Sequence, residues 1–435
     1  MLSFFHLFPE LLLLALVSGV AYYVATAIYI LYFHPLSRFP GPKLWLITRI
    51  PNARSLANGQ LMHRIRQFHE LYGPVVRWAP NELSFIDGQA WKDIYGHHPA
   101  GRDFPRNPLY YNRAINGAHT ILSADNVTHT RIRKLISRGF SEKALQEQES
   151  FIKTYTRLLI EKLQVHAQAG RSVDIGEYIQ FATVDIAGDL IFGESFDCLA
   201  REEAHQWVKR IRQASRQRFA FSSAKTGKRL ALGEAPHRSD LITYICRYND
   251  DKGMSREEID ATADILISAG SETTATALTG TLQYLLRNPE KMKKLQDEIR
   301  QSLRTVEASL SIHHTAKLPY LNAVLLEGLR MCPPAPSNRP RLVPEGGAPG
   351  LWELGTCPVG IPVWAAFRSA QNFAQPDSFI PERWMEPEEG GISLYPHDTT
   401  VFQPFSYGPR NCIGQRLGWA ELRVIMASLM WQFDM

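Results

Sequence analysis

The chain has 435 residues, of which 45% are hydrophobic and 21% are charged. This much apolar material can bury a large core, so the composition excludes a disordered or collagen-like protein. A net charge of +5, from 48 basic and 43 acidic residues, is too small to indicate nucleic-acid binding. The five cysteines lie far apart and form no C-x-x-C pair, so neither a disulfide framework nor a zinc site is predicted.

An uncharged segment near the N-terminus, from Leu11 to Phe33, is long enough to cross a membrane as a helix. A cleaved signal peptide is the alternative, but the run is too long for one and no Lys or Arg precedes it. Basic residues follow the segment at Arg38, Lys43, Arg49 and Arg54. The positive-inside rule therefore predicts a lumenal N-terminus and a cytosolic body. We predict a membrane anchor over residues 1–35 and a separate body over residues 36–435.

Helical periodicity dominates the body from about residue 60 onward. The strand-like stretches, Val75 to Trp78 and Leu83 to Ile86, are short and early. A region dense in proline and glycine, from Arg339 to Ser393, predicts turns, short strands and irregular loop. The sequence therefore predicts a mainly α fold with a small β part.

A long helix is predicted to begin after Ser255, which starts an S-x-x-E capping box, and to run towards Asn288. Its middle carries the sequence A-G-S-E-T-T from Ala269, where helix propensity disfavours both the glycine and the threonines. Glycine there lets a flat group approach the backbone, and a threonine hydroxyl can divert a carbonyl and open a small groove. Glu272 and Thr273 would then supply an acid and an alcohol for relaying protons. The alternative is a tolerated kink with a solvated glutamate.

A second motif, E-x-x-R, places Glu327 and Arg330 on one face of a helix predicted over Pro319 to Met331. Most such pairs are solvated surface contacts of little energy. Arg383, in the irregular region, could complete a buried triad in which two guanidinium groups bracket one carboxylate.

The sharpest motif is F-x-x-G-x-R-x-C-x-G, which runs from Phe405 to Gly414. Its glycines, Gly408 and Gly414, permit a tight loop, and Cys412 is predicted at the start of a helix that favours a thiolate. One lone soft ligand suits the axial position of a haem iron better than a tetrahedral zinc site. Arg410 would then meet a haem propionate, and Phe405 would pack near the sulfur. The alternative is a buried structural cysteine.

Together these motifs resemble the cytochrome P450 family, in particular its membrane-anchored fungal type. The resemblance covers about residues 36–435 and implies a cytochrome P450-like fold preceded by one transmembrane helix. It implies haem b, iron protoporphyrin IX, with the thiolate of Cys412 as axial iron ligand. By the same resemblance His129, Arg133 and Arg341 would bind the haem propionates, and Glu272 with Thr273 would guide protons.

The resemblance also implies a function. A P450 of this type inserts one atom of O2 into a lipophilic small molecule, here in fungal secondary metabolism, at the endoplasmic reticulum membrane. Electrons would come from an NADPH-dependent cytochrome P450 reductase, for which Arg416 and Arg423 are candidate docking residues. No nucleic-acid partner is implied.

The sequence departs from the family pattern in two places. Only a short segment follows Cys412, so the chain is expected to be truncated at its C-terminus, and the stretch over 207–240 looks short for the helices that roof a P450 pocket. Two alternatives therefore stay open: an inactive, truncated haem-binding remnant, and a haem-thiolate isomerase or dehydratase that needs neither O2 nor a reductase.

Overall fold

A computed structural model describes residues 2–99, 103–209, 216–233, 240–250, 252–304, 310–337, 340–344 and 357–435. Parts of two regions singled out above lie outside the described residues: 210–215 and 234–239 of the shortened stretch, and 345–356 of the proline-rich region. The chain forms two compact units, Met1–Asn107 with Ser337–Ser369, and Pro108–Pro336 with Ala370–Met435.

The described elements are mostly helices, as the periodicity predicts. In chain order they are α1 (Leu2–Ile28), α2 (Lys43–Ile47), α3 (Ile50–Ala57), α4 (Leu61–Tyr72), β1 (Val75–Ala79), β2 (Glu82–Phe85), α5 (Gln89–Tyr95), α6 (Asn126–Ile136), α7 (Glu142–Gln168), α8 (Ile175–Phe192), α9 (Cys198–Arg201), α10 (Gln206–Lys209), α11 (Arg216–Ala231), α12 (Leu241–Tyr248), α13 (Arg256–Leu286), α14 (Pro289–Arg304), α15 (Ile312–Thr315), α16 (Pro319–Met331), β3 (Arg341–Leu342), β4 (Pro358–Gly360), α17 (Val363–Phe367) and α18 (Gln415–Gln432).

The first unit begins with the apolar segment. Helix α1 continues into a π-helical turn, Tyr29–Phe33, and the stretch Leu11–Phe33 has a mean hydropathy of 2.2 with none of it buried. By length and composition this is, among the described residues, the helix that could cross a membrane. The chain then turns onto β1, where Pro40 accepts a hydrogen bond from the Arg77 backbone N–H at 2.8 Å. A Cβ at Gly41 would lie 1.8 Å from the Arg77 carbonyl oxygen, so this close approach requires glycine.

The small sheet of this unit has the strand order β1-β2-β4-β3. β1 and β2 correspond to the two predicted early strands, and they pair antiparallel with Val76 opposite Ser84. β2 pairs in parallel with β4, Leu83 lying opposite Val359, and β3 pairs antiparallel with β4. The prediction of a mainly α fold with a small, early β part is confirmed.

The second unit is helical and is organised around α13. The Ser255 side chain and the Glu258 side chain form the predicted capping box, and α13 ends at Leu286, two residues before Asn288. Helix α8 packs along α13 and is buried over most of its length, including the polar side chains of Thr183, Asp185 and Asp189. Helices α11, α16 and α18 also pack against α13, so this helix is the central element of the unit.

Candidate haem-thiolate site

The centre of α13 presents a row of small side chains on an otherwise buried helix. Ala269, Thr273 and Thr276 are exposed at positions i, i+4 and i+7, whereas Ser271 and Thr274 between them are buried. A Cβ at Gly270 would meet nothing closer than the Ala187 Cβ at 4.0 Å, so packing within the described chain does not require glycine there. The exposed row therefore leaves room for a flat group that the chain itself does not supply.

The hydroxyls of this segment bond back to their own helix. Thr273 donates to the Ala269 carbonyl at 2.5 Å, and Thr274 donates to the Gly270 carbonyl at 2.9 Å. The helix stays α-helical throughout, so the predicted opening of a groove by a diverted carbonyl is not found. The reason is geometric: a threonine hydroxyl reaches the carbonyl four residues earlier without breaking the backbone bond there.

The cysteine loop closes on itself before α18 begins. The Cys412 backbone N–H donates to the Phe405 carbonyl at 2.8 Å, which ties the two ends of the loop together. Ser406 and Gly408 have positive φ angles of 65° and 74°, so the chain reverses sharply between them. The Cys412 side chain is exposed. The chain itself therefore does not bury this thiol, and a structural cysteine packed into the protein core is excluded.

Two details of this loop differ from the prediction, and a third contact was not predicted. Helix α18 begins at Gln415 with Gly414 as its N-cap, so Cys412 precedes the helix rather than starting it. Gly414 has a φ of −85°, and its Cβ would meet Phe140 at an ordinary 3.8 Å, so the loop geometry does not require this glycine. The Phe405 ring packs edge-tilted on Trp419 of α18, with ring centroids 5.8 Å apart.

Two arginines hold the cysteine loop against α6. Arg133 of α6 donates to the Asn411 carbonyl at 2.7 Å and to its side-chain oxygen at 2.6 Å. Arg410 donates to the Asn126 side-chain oxygen at 2.7 Å and to the Ala124 carbonyl at 2.9 Å. Burial lowers the pKa of Arg133, and the smaller opposing effect of the nearby Cys412 sulfur does not cancel this shift. The two arginines thus link the Cys412 loop to α6 from both directions, Arg133 reaching Asn411 next to the cysteine and Arg410 reaching back from the loop.

His129 lies one helical turn before Arg133 on the same face of α6, and only 4% of it is exposed. The structure therefore brings His129, Arg133, Arg410 and the Cys412 loop to one place in the second unit. Arg341 belongs to the first unit, where it lies on β3 with its guanidinium carbon 5.5 Å from the centre of the Tyr95 ring.

The E-x-x-R pair forms a buried triad with Arg383. Arg330 grips the Glu327 carboxylate with two hydrogen bonds of 2.8 Å, and Arg383 approaches the same carboxylate at 3.3 Å. All three side chains in these ion pairs are 0% exposed. Two donors that the sequence did not predict complete the arrangement: the Trp384 indole at 2.9 Å and the Ile380 backbone N–H at 2.8 Å. A solvated surface pair is excluded.

The same arginines also organise the loop that leads towards the cysteine. Arg330 donates to the carbonyls of Pro376 and Ser378 at 2.7 and 3.0 Å, and Arg383 donates to that of Ala374 at 3.0 Å. Burial lowers the pKa of Arg383, and the Glu327 carboxylate opposes that shift. The triad therefore fixes irregular backbone by charge-assisted hydrogen bonds.

Comparison with known proteins decides the family. Residues 39–228 and 208–435 match the family model described as cytochrome P450. The chain belongs to the cytochrome P450 family. Cytochrome P450 monooxygenase astJ of Aspergillus oryzae is 37% identical over 96% of this chain and 90% of its own length. Cytochrome P450 monooxygenase aclL of the same species is 39% identical over 97% of this chain and 92% of its own length. Averantin hydroxylase of Dothistroma septosporum is 36% identical over 100% of this chain and 87% of its own length.

The relatives bear names of monooxygenases or of a hydroxylase, so this P450 is a monooxygenase of the oxidoreductase class. The family in general uses a thiolate-ligated haem, and the residues of this P450 fit one. The exposed Cys412 thiol offers one soft axial ligand. Arg410 lies in the same loop, and Arg133 of α6 binds the loop at Asn411. The row of small side chains on α13 leaves a flat face uncovered.

One prediction about the surface of this P450 is wrong. Arg423, proposed as a docking residue for a reductase, donates to the Asn322 side chain at 2.7 Å and stacks on the Trp419 ring at 4.8 Å. It is half-buried, and burial lowers its pKa. Arg423 therefore links helices within the second unit, whereas Arg416 in the first turn of α18 is exposed.

Sequence reasoning missed one titratable group near the site. Glu421 of α18 is buried, and this burial raises the pKa of its carboxyl to about 8, against a smaller opposing effect of the Thr274 hydroxyl of α13. A signal for it existed: Glu421 occupies the same helix face as Val424 and Ile425, three and four residues later, where the pattern calls for an apolar side chain.

Proposed function

We propose that this P450 is a membrane-anchored haem-thiolate monooxygenase that holds haem b through the thiolate of Cys412. The observation that carries the proposal is the exposed Cys412 thiol in a closed loop that two arginines tie to α6. Cys412 would be the axial ligand, and Arg133, Arg410 and His129 would bind the propionates. When bound, the haem supplies the reductive activation of O2 that inserts one oxygen atom into the substrate and releases the other as water.

The residues of α13 would handle protons on the substrate side. The Thr273 hydroxyl proton is engaged with the Ala269 carbonyl, so the exposed hydroxyl oxygen is available to accept a hydrogen bond. To pass its own proton on, Thr273 has to release that carbonyl, and Glu272 beside it would restore the proton. An alcohol paired with a neighbouring carboxyl can act as a general acid in a relay of this kind.

The substrate proposed here is a lipophilic small molecule of fungal secondary metabolism. Support comes from the relatives, which are fungal enzymes and include a protein named averantin hydroxylase. The electron donor proposed is an NADPH-dependent cytochrome P450 reductase, and exposed Arg416 is the remaining candidate for docking it.

The location proposed is the endoplasmic reticulum membrane. The apolar stretch Leu11–Phe33 would be the single span, and the body over 36–435 would form the haem domain. The basic residues that follow the span support a lumenal N-terminus and a cytosolic haem domain.

We further propose that this haem domain is shortened near 207–240. The two segments that match the family model overlap over 208–228, so these residues correspond to two stretches of the family pattern. In addition, the alignment with astJ spans 460 positions whereas the chain has 435 residues, so parts of that relative have no counterpart here.

The proposed function is tested on the full chain expressed with haem supply. The reduced protein exposed to carbon monoxide should show the strongly red-shifted Soret band of a thiolate-ligated haem. With a fungal P450 reductase and NADPH, candidate lipophilic substrates should be converted to products that carry one atom from labelled O2. A red-shifted band with no turnover across the substrate panel would instead indicate the haem-binding remnant.

Thr273→Ala should uncouple this P450 without removing its haem. We expect product formed per NADPH consumed to fall about 100-fold, the lower end of general acid–base contributions, and hydrogen peroxide to rise. Thr273→Ser keeps a hydroxyl and should retain most of the coupling. The measurement is product, peroxide and NADPH in the same assay, with haem content read from the spectrum.

Thr154→Ala is the matched control for this experiment. Thr154 of α7 is exposed and donates to the Ser150 carbonyl at 2.8 Å, so it copies the helical geometry of Thr273 elsewhere in the unit. Coupling should be unchanged in this variant. If Thr273→Ala and Thr154→Ala behave alike, Thr273 has no part in proton delivery.

A further inference from the structure

A buried arginine of the first strand binds the end of the proposed membrane span. Arg77 of β1 is 0% exposed, and among the described residues no carboxylate pairs with it. Its guanidinium donates to the Ile30 carbonyl at 2.9 Å and twice to the Pro80 carbonyl, at 2.5 and 3.2 Å. Ile30 belongs to the apolar stretch Leu11–Phe33, whereas Pro80 lies in the turn between β1 and β2. One side chain therefore connects the span to the strand pair.

The Ile30 carbonyl has no donor in the backbone that follows it. In an α-helix it would accept from the N–H four residues later, but the His34 N–H donates to the Tyr29 carbonyl at 2.9 Å. In the π-helical turn that ends the span it would accept from the residue five positions later, which is Pro35 and has no N–H. The donor that the structure provides is the Arg77 guanidinium.

A guanidinium suits the carboxyl end of a helix. The last carbonyls of a helix carry partial negative charge, which a cation stabilises. At the boundary of a bilayer a carbonyl without a donor is also more costly than one in water. Burial lowers the pKa of Arg77, but an arginine keeps its charge inside a protein. The contact thus satisfies the end of the span and the buried cation together.

The backbone of Arg77 holds the linker that follows the span. The Arg77 N–H donates to the Pro40 carbonyl at 2.8 Å, and a Cβ at Gly41 would lie 1.8 Å from the Arg77 carbonyl oxygen. Between the two contacts Leu36 is 1% exposed, and its carbonyl accepts from the Phe39 N–H at 3.0 Å. Both ends of this linker are therefore bonded to a single residue of β1.

We propose that Arg77 is a positioning residue that fixes the direction in which the membrane span leaves the first unit. Because it holds both Ile30 and Pro40, the span and β1 move as one piece, and the first unit keeps one orientation towards the bilayer. The alternative is that Arg77 only closes the β1–β2 turn at Pro80 and that the linker is a free hinge. The membrane and the electron donor in this role are those of the proposed function, whereas the bonds of Arg77 to the linker are independent of it.

The first experiment measures hydrogen–deuterium exchange of the full chain in lipid nanodiscs, for the wild type and for Arg77→Met. Methionine keeps an unbranched apolar stem but donates no side-chain hydrogen bond. We expect amides in residues 34–41 to exchange about tenfold faster, because a hydrogen bond from a charged donor is lost and the linker opens locally. Residues 82–85 should stay within about twofold of the wild type, because β2 remains paired with β1 and β4.

Arg49→Met is the matched control for this experiment. Arg49 binds the same β1–β2 turn, through the Asn81 side chain at 2.6 Å and the Glu82 carboxylate at 2.7 Å. Both contacts reach the strand pair and neither reaches the linker, so exchange in residues 34–41 should match the wild type. Equal acceleration of the linker in both variants, or of the linker and β2 in Arg77→Met, would show that Arg77 acts through the turn. Either result overturns the proposal.

Gly41→Ala keeps the experiment decisive if Arg77→Met fails to fold. The added Cβ has to move the linker away from the Arg77 carbonyl, while the guanidinium and the turn at Pro80 stay in place. Exchange in residues 36–41 should again rise about tenfold, since the bond to the Pro40 carbonyl is lost. Wild-type exchange in a folded Gly41→Ala protein would show that β1 does not hold the linker, and the proposal would be wrong.

The second experiment measures turnover with this P450 and the NADPH-dependent reductase in the same vesicles. If the productive orientation in Arg77→Met falls to about a tenth of the population, the apparent KM for the reductase should rise about tenfold at unchanged kcat. The reduced, carbon monoxide-treated spectrum should match the wild type, and Arg49→Met should keep the wild-type KM. An unchanged KM despite a loosened linker would contradict the role of Arg77 in orientation. If the wild type shows no turnover, the proposed function fails, while the exchange rates still decide whether Arg77 holds the span.

Discussion

Glu327→Gln should destabilise this P450 more than any other single isosteric substitution considered above. The Glu327 carboxylate accepts five N–H donors: two from Arg330, and one each from Arg383, Trp384 and Ile380. In the glutamine variant an NH2 group would face at least two of those donors, and two buried guanidinium groups would lose their counter-ion. Breaking a buried ion pair by removing one partner costs about 3–5 kcal/mol, a large part of a typical stability of about 5–15 kcal/mol.

The measurement is the free energy of unfolding in denaturant, together with the yield of soluble protein. Glu70→Gln is the matched control, because Glu70 pairs with Arg66 at 2.8 Å across one helical turn but is 52% exposed. An exposed pair of this kind is worth about 0–1 kcal/mol, so the control should unfold close to the wild type. A Glu327→Gln protein within about 0.5 kcal/mol of the wild type would show that hydrogen bonding, and not charge, holds the triad together.

The sequence predicted those elements of the fold whose ends are determined locally. The capping box at Ser255 located the start of α13, and Pro319 and the prolines after Met331 bounded α16, because caps and prolines act within one helical turn. The short strands β1 and β2 were found for a similar reason, since the strand-like character of their residues is a local property of the sequence.

The parts of the site that were missed depend on contacts across the fold. Trp384 and Ile380 bind Glu327 only because the irregular loop returns to α16, and no spacing in the sequence encodes that return. Arg423 is a basic residue of α18 for which the sequence alone suggests exposure. In the structure its side chain bonds to Asn322 and stacks on Trp419. Charge alone therefore predicted a surface role that tertiary packing removes.

Cys412→Ala is expected to abolish the haem-thiolate spectrum while the protein stays folded. The loop around Cys412 is held by backbone and neighbouring groups, namely the Phe405 carbonyl and the Arg133 contact with Asn411, and none of these involves the sulfur. The side chain is exposed, so its removal should change the free energy of unfolding by less than about 1 kcal/mol. The reduced, carbon monoxide-treated variant should lack the red-shifted Soret band, and reductase-driven turnover should fall by at least about 100-fold, as expected when a metal ligand is lost.

Cys246→Ala provides the control, because Cys246 is a half-buried cysteine of α12, outside the Cys412 loop, and the substitution should leave both the band and the turnover intact. Retention of the band in Cys412→Ala would assign the axial ligand to another group and would remove the basis of the proposed function. If the band is lost, circular dichroism shows whether the variant is still folded. A changed circular dichroism spectrum would mean that unfolding, and not loss of the ligand, can explain the missing band. A folded Cys412→Ala protein without the band separates the two, because the contacts that hold the loop remain in the variant and only the proposed ligand is removed.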